Sequence, residues 1–274
     1  MIIKGLQKLT LLDFPGRMAC TIFTAGCNFR CPFCHNASLV LGNGGERAEC
    51  EIISRNGDSI CLSEKIASDN APSTTDNDRA KDGEIIPEED IFAFLEARRG
   101  RLSGVCITGG EPTLMPDLED FIRRIRSMGY LVKLDTNGYR PEVLERLMVE
   151  GLVDYVAMDI KNCRESYART VGLKLIDIGK IERSVELLMG AKEDERIPDS
   201  FDFEFRTTVV KELHTEEDFR KIGEWLRGEE KYFIQPFVDS GDLIKDGLNG
   251  YDKNYLSYLV NMLKVKIPNI KIRG

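Results

Sequence analysis

The sequence lacks several features that would place it in common classes of protein. Among its 274 residues, 46 acids outnumber 38 bases, so the net charge is −8. A chain with this balance has no general attraction for nucleic acid or anionic membranes. No apolar run approaches the roughly 20 residues that span a bilayer, and the N-terminus has no apolar segment followed by a small-residue cleavage site. We therefore expect a cytoplasmic protein that binds neither nucleic acid nor membranes.

No short repeat recurs along the chain, which argues against a solenoid. Instead, apolar runs of strand length alternate with helical patterns. The runs cover 18–24, 103–108, 130–135, 153–160, 201–210 and 231–238. The helical patterns cover 87–99, 116–128, 141–150, 178–189, 215–226 and 251–263. This alternation predicts parallel strands joined by right-handed crossovers. The fold class is therefore α/β, and we expect a partial (βα)6 barrel of the TIM type with outer helices.

We expect residues 1–274 to form a single domain with one insertion at 42–83. The insertion is polar and irregular, with nine acids against five bases. Its part from Ser68 to Asp82 contains almost no apolar residues. Loops of this length are usually functional or disordered, so we interpret 42–83 as a partly disordered surface insertion.

Three of the eight cysteines, Cys27, Cys31 and Cys34, fall within eight residues in the stretch AGCNFRCPFCHN. In the cytoplasm, cysteines at this density are more typical of metal ligands than of disulfides. Thiolates favour soft metals and iron–sulfur clusters. The three cysteines are therefore the candidate metal ligands of the chain.

Three kinds of metal site are compatible with this loop. Structural zinc usually takes four ligands from two separate knuckles, and His35 is poorly placed to complete a tetrahedron with Cys34. An electron-transfer cluster takes a fourth cysteine, for which Cys20, Cys106 and Cys163 are candidates, although the first two resemble core residues. The third possibility is a four-iron cluster in which one iron has no protein ligand and can bind a substrate or cofactor.

The loop resembles the Cys-x3-Cys-x-aromatic-Cys signature of the radical S-adenosylmethionine (SAM) enzymes, with Phe33 at the aromatic position. A second stretch, Gly109-Gly110-Glu111-Pro112, is similar to the GGEP turn of that family. Two glycines allow a backbone to approach a ligand closely, and Glu111 can accept a hydrogen bond from an ammonium group. The resemblance implies one [4Fe-4S] cluster held by the three cysteines, SAM on its open iron, and reductive cleavage of SAM to a 5′-deoxyadenosyl radical.

Three further stretches resemble the glycyl-radical-enzyme activating proteins within that family: Cys34-His35-Asn36, Leu134-Asp135-Thr136-Asn137-Gly138 and Met158-Asp159-Ile160-Lys161. The resemblance implies that the cofactor is contacted by Asn36, Asp135, Thr136, Asp159 and Lys161, and that a monovalent cation lies nearby. Asp159 and Lys161 are two residues apart in a strand pattern, so they point to one face.

Arg206 lies within a strand pattern, where an unpaired charge is costly. The resemblance implies that Arg206 contacts the ribose or carboxylate region of the cofactor. The alternative is an internal ion pair with Asp202 or Glu204. We expect His214 to begin a helix rather than to act as a catalyst.

Four stretches, GLQKLTLLDFPG, TIFTAGCNFRCPFCHN, TGGEPTL and FIQPF, are similar to activating proteins of anaerobic ribonucleoside-triphosphate reductase. The implied reaction is hydrogen abstraction from a glycine of that reductase, with flavodoxin or ferredoxin as the electron donor. The alternatives are activation of a formate-lyase-type partner, modification of a small molecule, and a non-catalytic iron–sulfur or zinc protein.

Cys50 and Cys61 are too few to hold an additional four-iron cluster, so we expect one cluster per chain.

Overall fold

The computed structural model describes residues 1–41, 85–226, 228, 231–239 and 241–273. The chain divides into two compact units. The first unit is Met1–Asn28 with Ala37–Leu134, and the second is Phe29–Asn36 with Asp135–Gly274. The insertion predicted at 42–83, with Cys50 and Cys61, lies outside the described residues, and the single domain over 1–274 stays a prediction.

Every strand and helix predicted from the sequence is present within two residues of its expected bounds. The strands are β1 Ile3–Thr10, β2 Ala19–Thr24, β3 Gly104–Gly109, β4 Leu131–Thr136, β5 Tyr155–Asp159, β6 Asp202–Val209, β7 Tyr232–Pro236 and β8 Lys271–Ile272. The helices are α1 Ala37–Leu41, α2 Glu88–Ala97, α3 Leu118–Ser127, α4 Pro141–Val149, α5 Tyr167–Thr170, α6 Ile178–Met189, α7 Glu216–Trp225 and α8 Lys253–Leu263. Within the described ranges, none of the helices combines the length and apolar character needed to cross a membrane.

In the first unit, β2, β3 and β4 run parallel in sequence order, and β1 pairs antiparallel with β2. The register places Thr24 beside Gly109 at the carboxyl ends of β2 and β3. Both strands are almost fully buried, as is typical of parallel strands covered on both faces. The loops that follow β2 and β3 therefore begin side by side.

In the second unit, β5, β6, β7 and β8 also run parallel in sequence order. The register places Asp159, the last residue of β5, beside Arg206. Helix α7 begins with a capping box in which Thr215 and Asp218 each bind the backbone N–H of the other. Such a box satisfies two amide groups that the first helical turn leaves without partners, so α7 begins where its sequence predicts.

Four elements are not among the predicted strands and helices: the strand β1 and three short elements. Helices α1 and α5 contain five and four residues, and β8 contains two. Periodicity of apolar residues becomes recognisable only over longer windows. The pattern of apolar residues in β1 also does not show that this strand pairs antiparallel with β2, because such a pattern is independent of the direction of pairing.

Candidate functional site

The part of the site in the first unit is a glycine turn that contacts the start of the cysteine loop. The amide of Gly110 donates to the carbonyl of Thr24 at 2.8 Å, and the amide of Glu111 donates to the carbonyl of Gly26 at 2.8 Å. Gly109 has a φ of 115°, a conformation that favours glycine. A Cβ on Gly110 would lie 1.8 Å from the carbonyl oxygen of Gly26. The two backbones therefore meet with no space for a side chain.

Glu111 is 1% exposed and closes the same turn. One of its carboxylate oxygens accepts hydrogen bonds from the backbone N–H and the hydroxyl of Thr113, at 3.1 and 2.5 Å. Glu111 thereby caps the 3₁₀ turn Pro112–Leu114, a role that its motif does not predict. The expected contact of Glu111 with an ammonium group stays a prediction.

In the second unit, the segment before Cys31 is held by the region around α5. The Phe29 ring makes edge-to-face contacts with the rings of Tyr139 and Tyr167, with centroid distances of 5.6 and 6.5 Å. The amide of Arg30 donates to the carbonyl of Val171 at 2.9 Å. The backbone leading to Cys31 is thus fixed by both side-chain and main-chain contacts.

Gly172 also contacts the backbone before Cys31, and its sequence context did not indicate this role. It has a φ of 72°, and a Cβ there would lie 2.1 Å from the carbonyl oxygen of Arg30. On the other side of Cys31, the carbonyl of Pro32 accepts a hydrogen bond from the amide of Lys245 at 3.0 Å. Close backbone approach leaves no signal in the sequence except a glycine, which is also common in ordinary turns.

Burial dominates the chemistry of the two thiols in the second unit. Desolvation raises the pKa of Cys31 to about 11, although the nearby Lys161 lowers it. Desolvation also raises the pKa of Cys34, and a backbone hydrogen bond from Asn36 lowers it in part. Thiolate, not thiol, is the metal ligand, so a metal bound here has to displace both protons.

A group of four charged side chains lies at the ends of β4, β5 and β6. Arg206 contacts Asp135 at 3.2 Å through Nη1 and Asp159 at 3.0 Å through Nε. Lys161 Nζ lies 2.9 Å from the other oxygen of Asp159. The four side chains are 15 to 28% exposed. We call these residues, Asp135, Asp159, Lys161 and Arg206, the ion cluster.

Both cations of the ion cluster act on Asp159. Burial favours the neutral acid, but Arg206 and Lys161 together lower the pKa of Asp159 to about 2. Burial likewise opposes the charge on Lys161, yet Asp159 raises the pKa of that ammonium above its ordinary value. The site therefore presents carboxylate oxygens and N–H donors side by side, which suits the amino and carboxylate groups of an amino acid.

The alternative partners predicted for Arg206 bind other cations. Asp202 pairs with Lys231, and Glu204 pairs with Arg273 while accepting a hydrogen bond from Tyr155 at 2.7 Å. Arg206 is therefore directed to the strand ends by Asp135 and Asp159.

His214 supports the backbone at Lys161. Its Nε2 donates to the carbonyl of Lys161 at 2.8 Å, and its Nδ1 accepts from the amide of Val210 at 3.1 Å. Desolvation lowers the pKa of the imidazole, against the effect of these backbone bonds. His214 directly precedes Thr215, the N-cap of α7, as its prediction as a helix-entry residue requires. Its ring also contacts Phe33, with a centroid distance of 6.3 Å.

The remaining predicted positions have local contacts. Thr136 Oγ1 accepts from the amide of Gly138 at 3.1 Å, and the His35 ring stacks on Phe237 with a centroid distance of 5.5 Å.

In the part of the chain that the structure describes, no group of three His, Cys, Asp or Glu side chains is arranged to hold a metal ion. The number of cysteines that bind a cluster therefore stays a prediction.

Comparison with known proteins places these features within one family. A family model described as the radical SAM superfamily matches residues 21–226, a range that includes the cysteine loop, the glycine turn and the ion cluster. A Methanocaldococcus jannaschii protein, named as a candidate glycyl-radical enzyme activating enzyme, is 28% identical over 99% of this chain and 95% of its own length. The pyruvate formate-lyase-activating enzyme of Clostridium pasteurianum is 24% identical over 93% of this chain and 87% of its own length.

Among solved structures, Streptococcus suis SuiB bound to S-adenosylmethionine is similar to this chain with a TM-score of 0.58. The identity is 13%, and the match covers 93% of this chain and 50% of SuiB. At this identity the likeness concerns the fold alone. Together with the parallel strands of both units, it confirms the predicted fold class.

The glycine turn should not tolerate a methyl group at Gly110. Gly110→Ala places a Cβ against the carbonyl oxygen of Gly26, so we expect a loss of about 1–3 kcal/mol in the free energy of unfolding, as overpacking costs. Gly179→Ala is the control, because its Cβ meets only a side-chain oxygen at 3.3 Å. Urea denaturation of both variants measures the difference. Equal stability of the two variants would show that the turn can open freely.

The ion cluster should stabilise the fold in a pH-dependent way. The folded pKa of Asp159, about 2, is below its ordinary value of 3.8. The stabilisation is therefore present above that ordinary value and is lost as the pH falls towards about 2. We expect Asp159→Asn to be less stable than wild type by about 2 kcal/mol at neutral pH, and by about half as much near pH 3.

Denaturant unfolding at several pH values measures this difference, with the exposed Asp199 changed to Asn as the control. A gap between wild type and Asp159→Asn that stays constant down to pH 3 would contradict the proposed ion pairing of the carboxylate.

Proposed function

The chain belongs to the radical SAM superfamily, and we propose that it is the activating enzyme of a glycyl radical enzyme. The observation that carries the proposal is the similarity over 99% of the chain to a relative named for that activity. A second relative, matched over 93% of this chain and 87% of its own length, is named as a pyruvate formate-lyase-activating enzyme. The non-catalytic iron–sulfur or zinc protein is disfavoured, because the family match includes the glycine turn and the ion cluster as well as the cysteine loop.

Membership of this superfamily implies a [4Fe-4S] cluster and SAM. The residues of the chain fit both groups: three thiols within eight residues are suitable iron ligands, and the ion cluster offers both signs of charge to an amino acid. When bound, the two groups supply the reductive cleavage of SAM to methionine and a 5′-deoxyadenosyl radical, which abstracts hydrogen from a glycine of the partner. We propose that Cys27, Cys31 and Cys34 hold three of the four irons.

The chain's own residues would orient the cofactor. Arg206 and Lys161 are the donors for its carboxylate, and Asp135 and Asp159 are acceptors for its amino group. Gly109 and Gly110 belong to the proposal as cofactor contacts, and the absence of a Cβ at both lets their backbone pack directly on Thr24 and Gly26 at the start of the cysteine loop. The proposal also includes as cofactor contacts Phe33, Asn36, Glu111 and Thr136.

A monovalent cation near the ion cluster also belongs to the proposal. The oxygens of Asp135 and Asp159 are hard ligands of the kind that such cations take. Both carboxylates already contact Arg206, so a cation would share these oxygens with the guanidinium.

We propose anaerobic ribonucleoside-triphosphate reductase as the partner and flavodoxin or ferredoxin as the electron donor in the cytoplasm. The support is the similarity of four stretches spread over the chain, from GLQKLTLLDFPG to FIQPF. A formate-lyase-type partner is the second candidate, because one relative that matches 93% of this chain is named for activating pyruvate formate-lyase.

The partner can be identified by electron paramagnetic resonance (EPR). Reduced, cluster-loaded protein is incubated with SAM and with either candidate enzyme. We expect a glycyl radical on the reductase and none on the formate lyase, and no signal with Cys34→Ala. A radical on the formate lyase alone would select the second candidate. Absence of 5′-deoxyadenosine with wild type would contradict the radical reaction itself.

The iron content should report on the three loop cysteines. We expect about four irons per wild-type chain after anaerobic reconstitution, the content of one [4Fe-4S] cluster. Alanine at Cys27, Cys31 or Cys34 should abolish the assembled cluster. Cys20→Ala is the control, because Cys20 is fully buried in β2 outside the loop. About eight irons per chain would contradict a single cluster, and a normal cluster in any loop variant would exclude that cysteine as a ligand.

A further inference from the structure

Tyr167, the first residue of α5, contacts two functional segments of the second unit. Its ring makes an edge-to-face contact with Phe29 of the cysteine loop, with a centroid distance of 6.5 Å. Its hydroxyl lies 3.3 Å from the carbonyl oxygen of Asp159 and 3.3 Å from the amide nitrogen of Lys161. One side chain thus joins the segment before Cys31 to the backbone of the ion cluster.

The Tyr167 hydroxyl makes one hydrogen bond as a donor and one as an acceptor. It donates its proton to the carbonyl of Asp159 and accepts the N–H of Lys161. A phenol has one proton to donate and can accept at its oxygen, so this pair of contacts fixes the orientation of the ring and of the chain from Asp159 to Lys161. A phenylalanine could fill the same space but could make neither bond.

The position of Tyr167 argues against a chemical role. The residue is fully buried, and its ring also contacts Trp225 of α7, with a centroid distance of 6.5 Å. Desolvation raises the pKa of the phenol above its ordinary value, so the group stays protonated. A buried, neutral and doubly hydrogen-bonded phenol can act on the site through the residues that it holds.

The region after Tyr167 strengthens its contact with the loop. Val171 accepts the amide of Arg30 at 2.9 Å and itself donates to the carbonyl of Tyr167 at 3.0 Å. Gly172 lies so close to Arg30 that a Cβ would be 2.1 Å from the carbonyl oxygen. Tyr167, Val171 and Gly172 therefore all contact the cysteine loop, at Phe29 and Arg30.

We propose that Tyr167 is a positioning residue that sets the placement of Asp159 and Lys161 relative to the cysteine loop, and so aligns the SAM-binding charges with the cluster. The inference rests on the proposed cofactor site. It predicts that loss of the hydroxyl alone weakens SAM binding while leaving cluster assembly intact, because the ring contact with Phe29 remains.

Tyr167→Phe tests the proposal, with Tyr130→Phe as the matched control. Tyr130 is also buried and donates its hydroxyl to the backbone carbonyl of Leu95 at 2.6 Å, but it contacts neither the loop nor the ion cluster in the described structure. We expect Tyr167→Phe to keep the wild-type iron content and to bind SAM about five- to tenfold more weakly, the effect of roughly one hydrogen bond. Tyr130→Phe should bind SAM like wild type.

Two measurements with cluster-loaded protein decide the matter: SAM affinity by equilibrium binding, and hydrogen exchange of the Lys161 amide by mass spectrometry. We expect that amide to exchange at least about threefold faster in Tyr167→Phe, because its hydrogen-bond acceptor is lost. Unchanged SAM affinity, or unchanged exchange at Lys161, would overturn the proposal.

The outcomes separate this inference from the proposed function. If wild type binds no SAM, the proposed function fails. If wild type binds SAM and Tyr167→Phe binds it equally well, only the role of Tyr167 fails. Should Tyr167→Phe assemble no cluster, the predicted separation of cluster assembly from SAM binding is wrong and the inference falls with it.

Discussion

The Asp159 carboxylate, held between Arg206 and Lys161, is the interaction on which the rest of the second unit's site depends. A carboxylate that is largely withdrawn from water is costly unless it is paired and hydrogen-bonded, and here both oxygens have a cationic partner. The adjacent backbone is fastened as well, because Tyr167 binds the carbonyl of Asp159 and His214 binds the carbonyl of Lys161. Ion pairs to the side chains and hydrogen bonds to the backbone thus together fix the positions of Asp159 and Lys161.

The cysteine loop is held in place by other kinds of contact than the ion cluster. Burial raises the pKa of its Cys31 and Cys34 thiols, and aromatic and main-chain contacts of Phe29, Arg30 and Pro32 hold the backbone on both sides of Cys31. Phe29 is inserted between aromatic rings, and Gly172 approaches the loop backbone directly. A loop fixed in this way can present ligands to a metal without depending on the metal for all of its order.

Much of the architecture could be predicted from the sequence, because β2 to β7 are long apolar runs and their helices are amphipathic over ten residues or so. The positions of Asp135, Asp159 and Lys161 at strand ends followed from the same pattern. The partners of Arg206 could not be predicted, since Asp202 and Glu204 are nearer in sequence than Asp135 and Asp159. Tyr167 and Gly172 escaped because their roles depend on contacts across the fold, and neither lies in a recognisable motif.

The environment of His214 has a consequence for how the site responds to acidity. An imidazole is ordinarily the side chain that changes charge near neutral pH. Here the ring is buried, its pKa is lowered, and its two nitrogens serve a backbone carbonyl on one side and a backbone amide on the other. The residue type that most often changes charge near neutral pH therefore stays uncharged here. Its hydrogen bond to the carbonyl of Lys161 is expected to persist as the pH changes around neutrality.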